Sequence, residues 1–373
     1  MHQNAFYNML HNKTIAVVVP AYNEEKQIQR VIDHMPSFVD RIVIVNDCSG
    51  DGTAQVVQQY IDSDSGNYSM EQIGPKLIEP DFYNEAEIRL QEMFADEIRF
   101  FIPSEVANKS EASSRIILIN LLQNGGVGAA IARGYKWCKD NEIDCTAVMA
   151  GDGQMDPSEL QKICEPVVLE NIDYVKGNRL MHKSARLVIP RSRRFGNSVL
   201  SILTKLASGY WRISDTQTGY TAISLNALKS IHLYKIYPRY GMPNDMLVKL
   251  NIASCSIREI EIKPVYRIGE VSKMKIGKVI PRISLLLLKS FFRRLWRKYF
   301  LRDFHPLFLF YMLGLVLGAC NLPFLVSILY NWLTPEVTPT SYLIIFIFLS
   351  ISSLQSLFFA MWMDIQDNER LYK

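Results

Sequence analysis

The chain has 373 residues, room for one large domain or two smaller ones, and its mild net charge of +4 gives no bulk argument for nucleic acid as a partner. Its mean hydropathy of +0.03 is high for a soluble enzyme, and the apolar excess lies towards residue 373. Six cysteines with no CxxC pair and no His-rich partner spacing argue against a zinc site and for buried, reduced thiols.

Residues 1–12 are polar and lack the apolar stretch of a secretory signal, so the N-terminal part is expected in the cytosol. Lys13–Pro20 is a β-branched apolar run closed by proline, which predicts a buried parallel strand. Ala21-Tyr22-Asn23-Glu24-Glu25 follows as a polar turn, and Ile28, Val31 and Ile32 then recur at helical spacing. A second strand, Arg41–Asn46, ends in Asp47, and a helix opens after Asp51 as a candidate N-cap. Two successive βα units imply a parallel sheet. Residues 62–114 break this rhythm: they are rich in acids and poor in apolar runs, and read as a surface insertion with one helix within Phe82–Ile98.

The rhythm resumes with a strand at Arg115–Asn120, a glycine-rich turn at Gln123–Gly128, a helix to Asn141 and a strand at Cys145–Ala150. That strand breaks at Gly151-Asp152-Gly153-Gln154, delivering an acid to a loop at its carboxyl end, where open α/β sheets bind their ligands. Tyr174–Arg179 predicts a further strand, Arg191–Arg194 is a basic cluster ahead of a helix, Asp215–Tyr220 is a polar turn, and Cys255–Tyr266 a last strand. Asp47, Glu24 and Asp152 thus stand at three strand ends on one sheet edge. Such acids would repel a diphosphate unless a divalent cation intervened, and Asp152 and Gln154 are hard oxygen ligands suited to Mg2+ or Mn2+. A Rossmann dehydrogenase is disfavoured: Gly125-Gly126-Val127-Gly128-Ala129-Ala130 lacks the third glycine of GxGxxG and follows the wrong strand.

From Pro281 the chain changes character. Leu285–Leu301 is amphipathic, with Leu288, Phe292, Leu295 and Tyr299 on one face, Lys289, Arg293 and Arg297 on another, and Arg294 and Lys298 adjoining; this suits an anionic bilayer surface. Leu307–Tyr330 and Tyr342–Met363 carry no charge, and each is long enough for a hydrocarbon core of about 30 Å at roughly 1.5 Å per residue. With the basic residues before the first span, both chain ends are expected in the cytosol and the short loop outside. The expected organisation is a cytosolic α/β domain over residues 1–275, an interfacial helix region over 276–304 and a two-helix transmembrane hairpin over 305–373.

Pro20-Ala21-Tyr22-Asn23-Glu24, Val45-Asn46-Asp47 and Asp152-Gly153-Gln154-Met155-Asp156-Pro157 resemble family 2 glycosyltransferases of the GT-A fold. Within these they resemble the polyprenyl-phosphate glycosyltransferases, the branch that includes dolichol-phosphate mannose synthase. The resemblance implies an α/β fold with a mixed, mostly parallel sheet and flanking helices. It implies that Pro20, Ala21, Tyr22, Glu24, Asp47 and Asn124 hold the donor nucleotide, and that Asp152 and Gln154 hold the metal. Arg179, Arg194, Arg267, Ser272 and Lys273 would meet the acceptor phosphate, and Asp215 would lie near the reacting sugar as an orienting group or weak base. The implied reaction is an inverting, single-displacement transfer of one sugar from a nucleotide sugar to a polyprenyl phosphate at the cytosolic face of the plasma membrane; the base stays open, with a UDP-sugar favoured over a GDP-sugar. The family's Asp-x-Asp is Ala150-Gly151-Asp152 here, so one acid is missing and the metal rests on Asp152. Two alternatives stay open. A processive polysaccharide synthase would carry Gln-x-x-Arg-Trp, which this chain lacks, and a non-catalytic scaffold would fit the missing acid. Relatives of this type assemble through their hairpins, so a homo-oligomer is a possible partner state.

Overall fold

The computed structural model describes residues 10–63, 78–111, 114–188, 191–265, 276–334 and 336–373. Arg267, Ser272 and Lys273 lie outside these residues. The β-branched runs form strands because both of their faces are buried. β1 (Ile15–Ala21) and β2 (Arg41–Asn46) are buried at every position. Helix α1 (Glu25–Asp33) lies between them and buries Ile28, Val31 and Ile32. α2 (Thr53–Ser63) follows, with Asp51 accepting the Thr53 N–H at 3.1 Å as its sequence position predicts.

The segment read as an insertion contains α3 (Glu85–Asp96) and, beyond the expectation, a short edge strand β3 (Ser104–Val106). β3 pairs antiparallel with β4 (Ile116–Leu121). Phe101, Ile102 and Val106 pack on the core, and the buried Glu97 pairs with the buried Lys139 at 2.6 Å, so this part of the segment is stapled to the domain. α4 (Val127–Asp140), β5 (Cys145–Val148), α5 (Leu160–Glu170) and β6 (Tyr174–Asn178) continue the α/β alternation. Two helices, α6 (Ala185–Val188) and α7 (Arg191–Ser208), come next, and the basic cluster 191–194 forms the first turn of α7 rather than preceding it. β7 (Thr221–Ser224), α8 (Leu225–Ser230), α9 (Met242–Ile252) and β8 (Ile257–Glu261) complete the sheet.

The strand order is β3-β4-β2-β1-β5-β7-β6-β8, mostly parallel, with β3 and β7 antiparallel to their neighbours. Of the six cysteines, Cys138, Cys145, Cys164 and Cys255 are buried and free, whereas Cys48 and Cys320 are exposed.

Three further helices follow: α10 (Ile276–Arg294), continued by a wider π-type turn over Leu295–Arg302, then α11 (Pro306–Leu333) and α12 (Thr340–Glu369). α11 and α12 have apolar windows of mean hydropathy 2.1 and 2.2 with only 11% and 17% of those windows buried, unlike core helices of the same composition. They pack on each other through small residues. The Ser353 hydroxyl donates to the Gly314 carbonyl at 2.8 Å, and a Cβ on Gly314 would meet Leu357 at 2.8 Å. The amphipathic reading of residues 285–301 needs correction. Leu288 and Phe292 are exposed, but Leu295 and Tyr299 are buried, and Arg294 and Lys298, expected beside a solvated basic face, are fully buried.

Candidate functional site

The pairing pattern brings one end of many strands to a single edge. β4, β2, β1 and β5 are parallel neighbours, and β6, separated from β5 by the antiparallel β7, points the same way, as does β8. Residues 22–24 leave β1 there, Asp47 leaves β2, Asn124 follows β4, Asp152 and Gln154 follow β5, Arg179 follows β6, and Asp215 precedes β7. Arg194 falls in the first turn of α7.

On the β1–β2 side the loops are fixed by backbone amides. Pro20 and Ala21 end β1, paired with Val45 and Asn46, and the Asp47 N–H donates to the Ala21 carbonyl at 2.9 Å. The Gly50 N–H donates to the Asn23 side chain at 2.9 Å, and the Glu24 N–H to the Thr53 hydroxyl at 2.9 Å. Tyr22 is left 43% exposed at the mouth of this edge, and Glu24 is half-buried.

Asp47 accepts the Gly125 N–H at 2.7 Å on one oxygen and the Gly126 N–H at 2.8 Å on the other, and its carbonyl accepts the Asn124 amide at 3.1 Å. Burial pushes the Asp47 carboxyl up, and these two amides oppose the shift. Each oxygen keeps a second lone pair for a ligand. The glycine-rich turn is thus spent on the protein itself. Gly126 has φ +89°, its Cβ would lie 2.7 Å from the Pro238 carbonyl, and a Cβ on Gly128 would lie 2.1 Å from the Tyr237 carbonyl. No room is left there for a phosphate cradle of the dinucleotide type.

At the centre, the loop after β5 presses onto β1. The Gly151 N–H donates to the Pro20 carbonyl at 3.3 Å, and a Cβ at 151 would stand 3.1 Å from that oxygen. Asp152 accepts the Gln154 N–H at 3.0 Å. Burial pushes the Asp152 carboxyl up, and among the described residues no lysine or arginine pairs with it. A desolvated carboxylate without a counter-charge favours a cation. Among the described residues no group of three His, Cys, Asp or Glu side chains forms a metal site. Asp152 and Gln154 therefore suit an ion shared with ligand phosphate oxygens and water rather than a protein-made cage. The Tyr220 hydroxyl donates to the Asp156 carbonyl at 2.9 Å and so joins this loop to the segment 215–220.

On the β6–β8 side the fixings are charged. Arg179 donates from Nε to one Asp215 oxygen at 2.8 Å and from Nη2 to the other at 3.0 Å, and its own N–H adds a third bond at 3.1 Å. Asp215 is buried, whereas Arg179 keeps 24% of its side chain exposed. Burial would raise the Asp215 carboxyl, but the Arg179 pair and nearby Lys176 together hold it below the ordinary carboxylate range. Asp215 is therefore a poor proton acceptor at neutral pH and a good anchor for Arg179.

Sequence reasoning passed over three residues here. Lys176 is fully buried in β6 and donates to the Thr218 carbonyl, and burial lowers its ammonium to about 8 despite Asp215 and Glu259 nearby. Glu259 in β8 accepts the backbone N–H groups of Ser214 and Asp215, each at 3.0 Å. Asn178 bonds the Ser214 hydroxyl and, at 2.8 Å, Glu259. The available signal was a charge inside a strand: Lys176 interrupts Tyr174–Asn178 and Glu259 sits mid-strand in Ile257–Glu261.

A family model described as Glycosyl transferase family 2 matches residues 16–70 and 103–231, and the gap between them falls inside the segment read as an insertion. The chain is 27% identical over 256 residues to the UDP-N-acetylglucosamine–dolichyl-phosphate N-acetylglucosaminyltransferase of Methanococcus voltae, covering 68% of this chain and 87% of that enzyme. It is 30% identical over 154 residues to the undecaprenyl-phosphate mannosyltransferase of Micrococcus luteus, covering 41% of this chain and 62% of that enzyme. Among solved structures it resembles glucosyl-3-phosphoglycerate synthase from Mycobacterium tuberculosis in complex with Mn2+, UDP and glucosyl-3-phosphoglycerate. The identity is 16% and the TM-score 0.44, over 76% of this chain and 80% of that one.

Proposed function

We propose that this chain, a glycosyltransferase that carries a glycosyl transferase family 2 domain, moves one sugar from a UDP-sugar to a polyprenyl phosphate at a membrane surface. One observation carries the reading: a single sheet edge gathers Tyr22, Glu24, Asp47, Asp152 and the Arg179–Asp215 pair, and the same domain continues into two exposed apolar helices. Relatives named for dolichyl-phosphate and undecaprenyl-phosphate transfer support the acceptor class, and the name of the Methanococcus voltae enzyme supports a UDP-sugar.

Tyr22, Glu24 and Asp47, with Pro20, Ala21 and Asn124 shaping the wall, hold the nucleotide. Asp152 and Gln154 hold a divalent cation, Mg2+ or Mn2+. Such an ion, when bound, offsets the charge of the departing diphosphate. An oxygen of the lipid phosphate attacks the anomeric carbon, the bond from that carbon to the diphosphate oxygen breaks, and UDP leaves with the electron pair. The nucleophile is already anionic at neutral pH, so no proton has to be removed, in keeping with an Asp215 locked to Arg179. Arg179, still partly exposed, directs its remaining surface to the acceptor phosphate. Arg194, Arg267, Ser272 and Lys273 are candidates for the same phosphate. The domain and the segment after the second span touch each other, so both lie on one side of the membrane, which we assign as the cytosolic side.

The test is transfer by the full chain in lipid vesicles, with Mn2+ or Mg2+, a short polyprenyl phosphate and a panel of UDP- and GDP-sugars. One sugar on an extractable lipid is the expected product. A polymer would mean a processive synthase, and no turnover with any donor would mean a scaffold.

A further inference from the structure

We infer that residues 364–373, which follow the second apolar span, are a positioning element of the transfer centre: they hold the segment 209–215 that carries Asp215. The inference rests on the assignment of Arg179 and Asp215 to the centre proposed above.

The segment 209–215 is gripped on two sides, and residues 364–373 take part in both grips. On the first side, Arg294 donates through both terminal nitrogens to Asp364, at 2.7 and 2.8 Å, and both side chains are fully buried. The same guanidinium donates to the carbonyls of Ala207 at 3.0 Å and Leu206 at 3.1 Å, in the last turn of α7. One arginine therefore joins α10, α12 and the helix end from which residue 209 departs. Gly209 follows with φ +77°, and a Cβ there would stand 2.5 Å from an Arg294 nitrogen and 3.0 Å from the Asn368 amide. Glycine is needed both for the left-handed turn and for the close approach. Trp211 then donates to Asp364 at 3.3 Å, and the Arg212 N–H donates to the Tyr372 hydroxyl at 2.8 Å.

The second grip runs through the sheet. The Ile257 N–H donates to the Leu371 carbonyl at 2.7 Å, the Lys373 N–H returns to the Ile257 carbonyl at 3.3 Å, and Arg258 donates to the Lys373 carbonyl at 2.8 Å. Residues 371–373 thus pair with Ile257 at the start of the outer edge of β8, meeting backbone groups that would otherwise lack partners. β8 is the strand whose Glu259 accepts the Ser214 and Asp215 amides. The chain leaving the membrane accordingly fixes the loop at residues 209–212 directly and at 214–215 through β8. Anchoring alone would need none of these contacts, since α11 and α12 provide it.

Three full-chain variants test this: Tyr372→Phe, which removes only the hydroxyl that receives the Arg212 N–H; Gly209→Ala; and Asp364→Asn, with Asp364→Glu as the charge-retaining control. Each is assayed for kcat and KM on a short polyprenyl phosphate in detergent, where anchoring plays no part. UDP binding is followed by tryptophan fluorescence, and amide exchange is compared over residues 209–218 and 21–50. Misplacement of Asp215 should lower kcat by about tenfold or more in Gly209→Ala and Asp364→Asn and less in Tyr372→Phe. UDP affinity should hold, and Asp364→Glu should recover part of the loss. Exchange should rise at 209–218 and stay unchanged at 21–50, a readout that stands even if no donor is turned over. Unaltered exchange at 209–218 in both Gly209→Ala and Tyr372→Phe would overturn the inference, as would a fall in kcat matched by loss of UDP binding and by faster exchange throughout. Failure of the wild type to transfer any sugar, with exchange responding as expected, would sink the function and leave the positioning role standing.

Discussion

The two halves of the sheet edge are held by different chemistry. Around β1, β2 and β4 the loops are tied by uncharged backbone amides donating to side-chain oxygens, at Asn23, Thr53 and the Asp47 carboxylate. Around β6, β7 and β8 they are tied by buried charges: Arg179–Asp215 and Lys176 within the site, and Arg294–Asp364 behind it. Bonds of the first kind have an uncharged donor, so changing one partner leaves no second buried charge behind. Desolvated ion pairs of the second kind cost a great deal when one partner is removed, because the other is left buried and charged. The proposed donor half should therefore tolerate conservative changes in charge, and the proposed acceptor half should not.

Four substitutions probe this contrast. The largest effect is expected at Asp152, the carboxylate on which the proposed cation depends. Asp152→Ala should lower transfer by about a thousandfold, as loss of a main electrostatic stabiliser does. Chelation should bring the wild type down to the variant's rate while leaving the variant unchanged; steady-state rates with and without EDTA check both, and a variant that stays sensitive to chelation would place the ion elsewhere.

Arg179→Met should come next. It strands the buried Asp215 and should cost about 3–5 kcal/mol in thermal or denaturant unfolding near neutral pH. The pH dependence has a definite sign. The folded-state carboxyl of Asp215 lies below its ordinary 3.8, so its contribution is present above that value and is lost as pH falls through the depressed one. The gap between wild type and variant should narrow as Asp215 protonates in acid, and a gap constant from about pH 6 to 3 would contradict the pairing.

Asp47→Asn keeps one acceptor oxygen and presents an amide where Gly125 or Gly126 now donates. The expected cost is about 1–3 kcal/mol, seen as a raised Kd for UDP in a binding titration, with kcat at saturating donor little changed. A loss of folding stability as large as that of Arg179→Met would erase the contrast between the halves. The smallest effect is expected at Lys13, whose bridge to Asp144 at 2.8 Å is half exposed. Lys13→Ala should change unfolding stability by less than about 1 kcal/mol, and high salt should shrink the difference further.

Much of the first half is legible in the sequence. The β-branched apolar runs at Lys13–Pro20 and Arg41–Asn46 became β1 and β2, and these runs and the helical spacing between them require little beyond local burial. The acids at the strand ends followed from the parallel order of those strands. What Asp47 grips was not legible, because its partners at Gly125 and Gly126 lie 78 and 79 residues away. The insertion hid its edge strand for a similar reason: Ser104–Val106 is only three residues long and gains its pairing from β4.

The basic residues of 285–301 show the sharper limit. Helical period put Arg294 and Lys298 beside Lys289, Arg293 and Arg297, and nothing in that stretch separates those that meet solvent from those that do not. Asp364 and Asn368, 70 residues further on, make the difference: Arg294 bonds the first and Lys298 the second, and both basic side chains disappear from the surface.

By itself, the sequence determined the strands, their acidic ends, the two apolar spans and the resemblance to a transferase family, because each is written in local pattern and composition. Which groups meet is set by the closed fold: Arg179 with Asp215, Lys176 with the Thr218 carbonyl, Arg294 with Asp364, and residues 371–373 with Ile257 at the edge of β8. The free energy of a buried charge depends on the partner that replaces its water, and that partner is chosen by how the sheet and the helices close on each other.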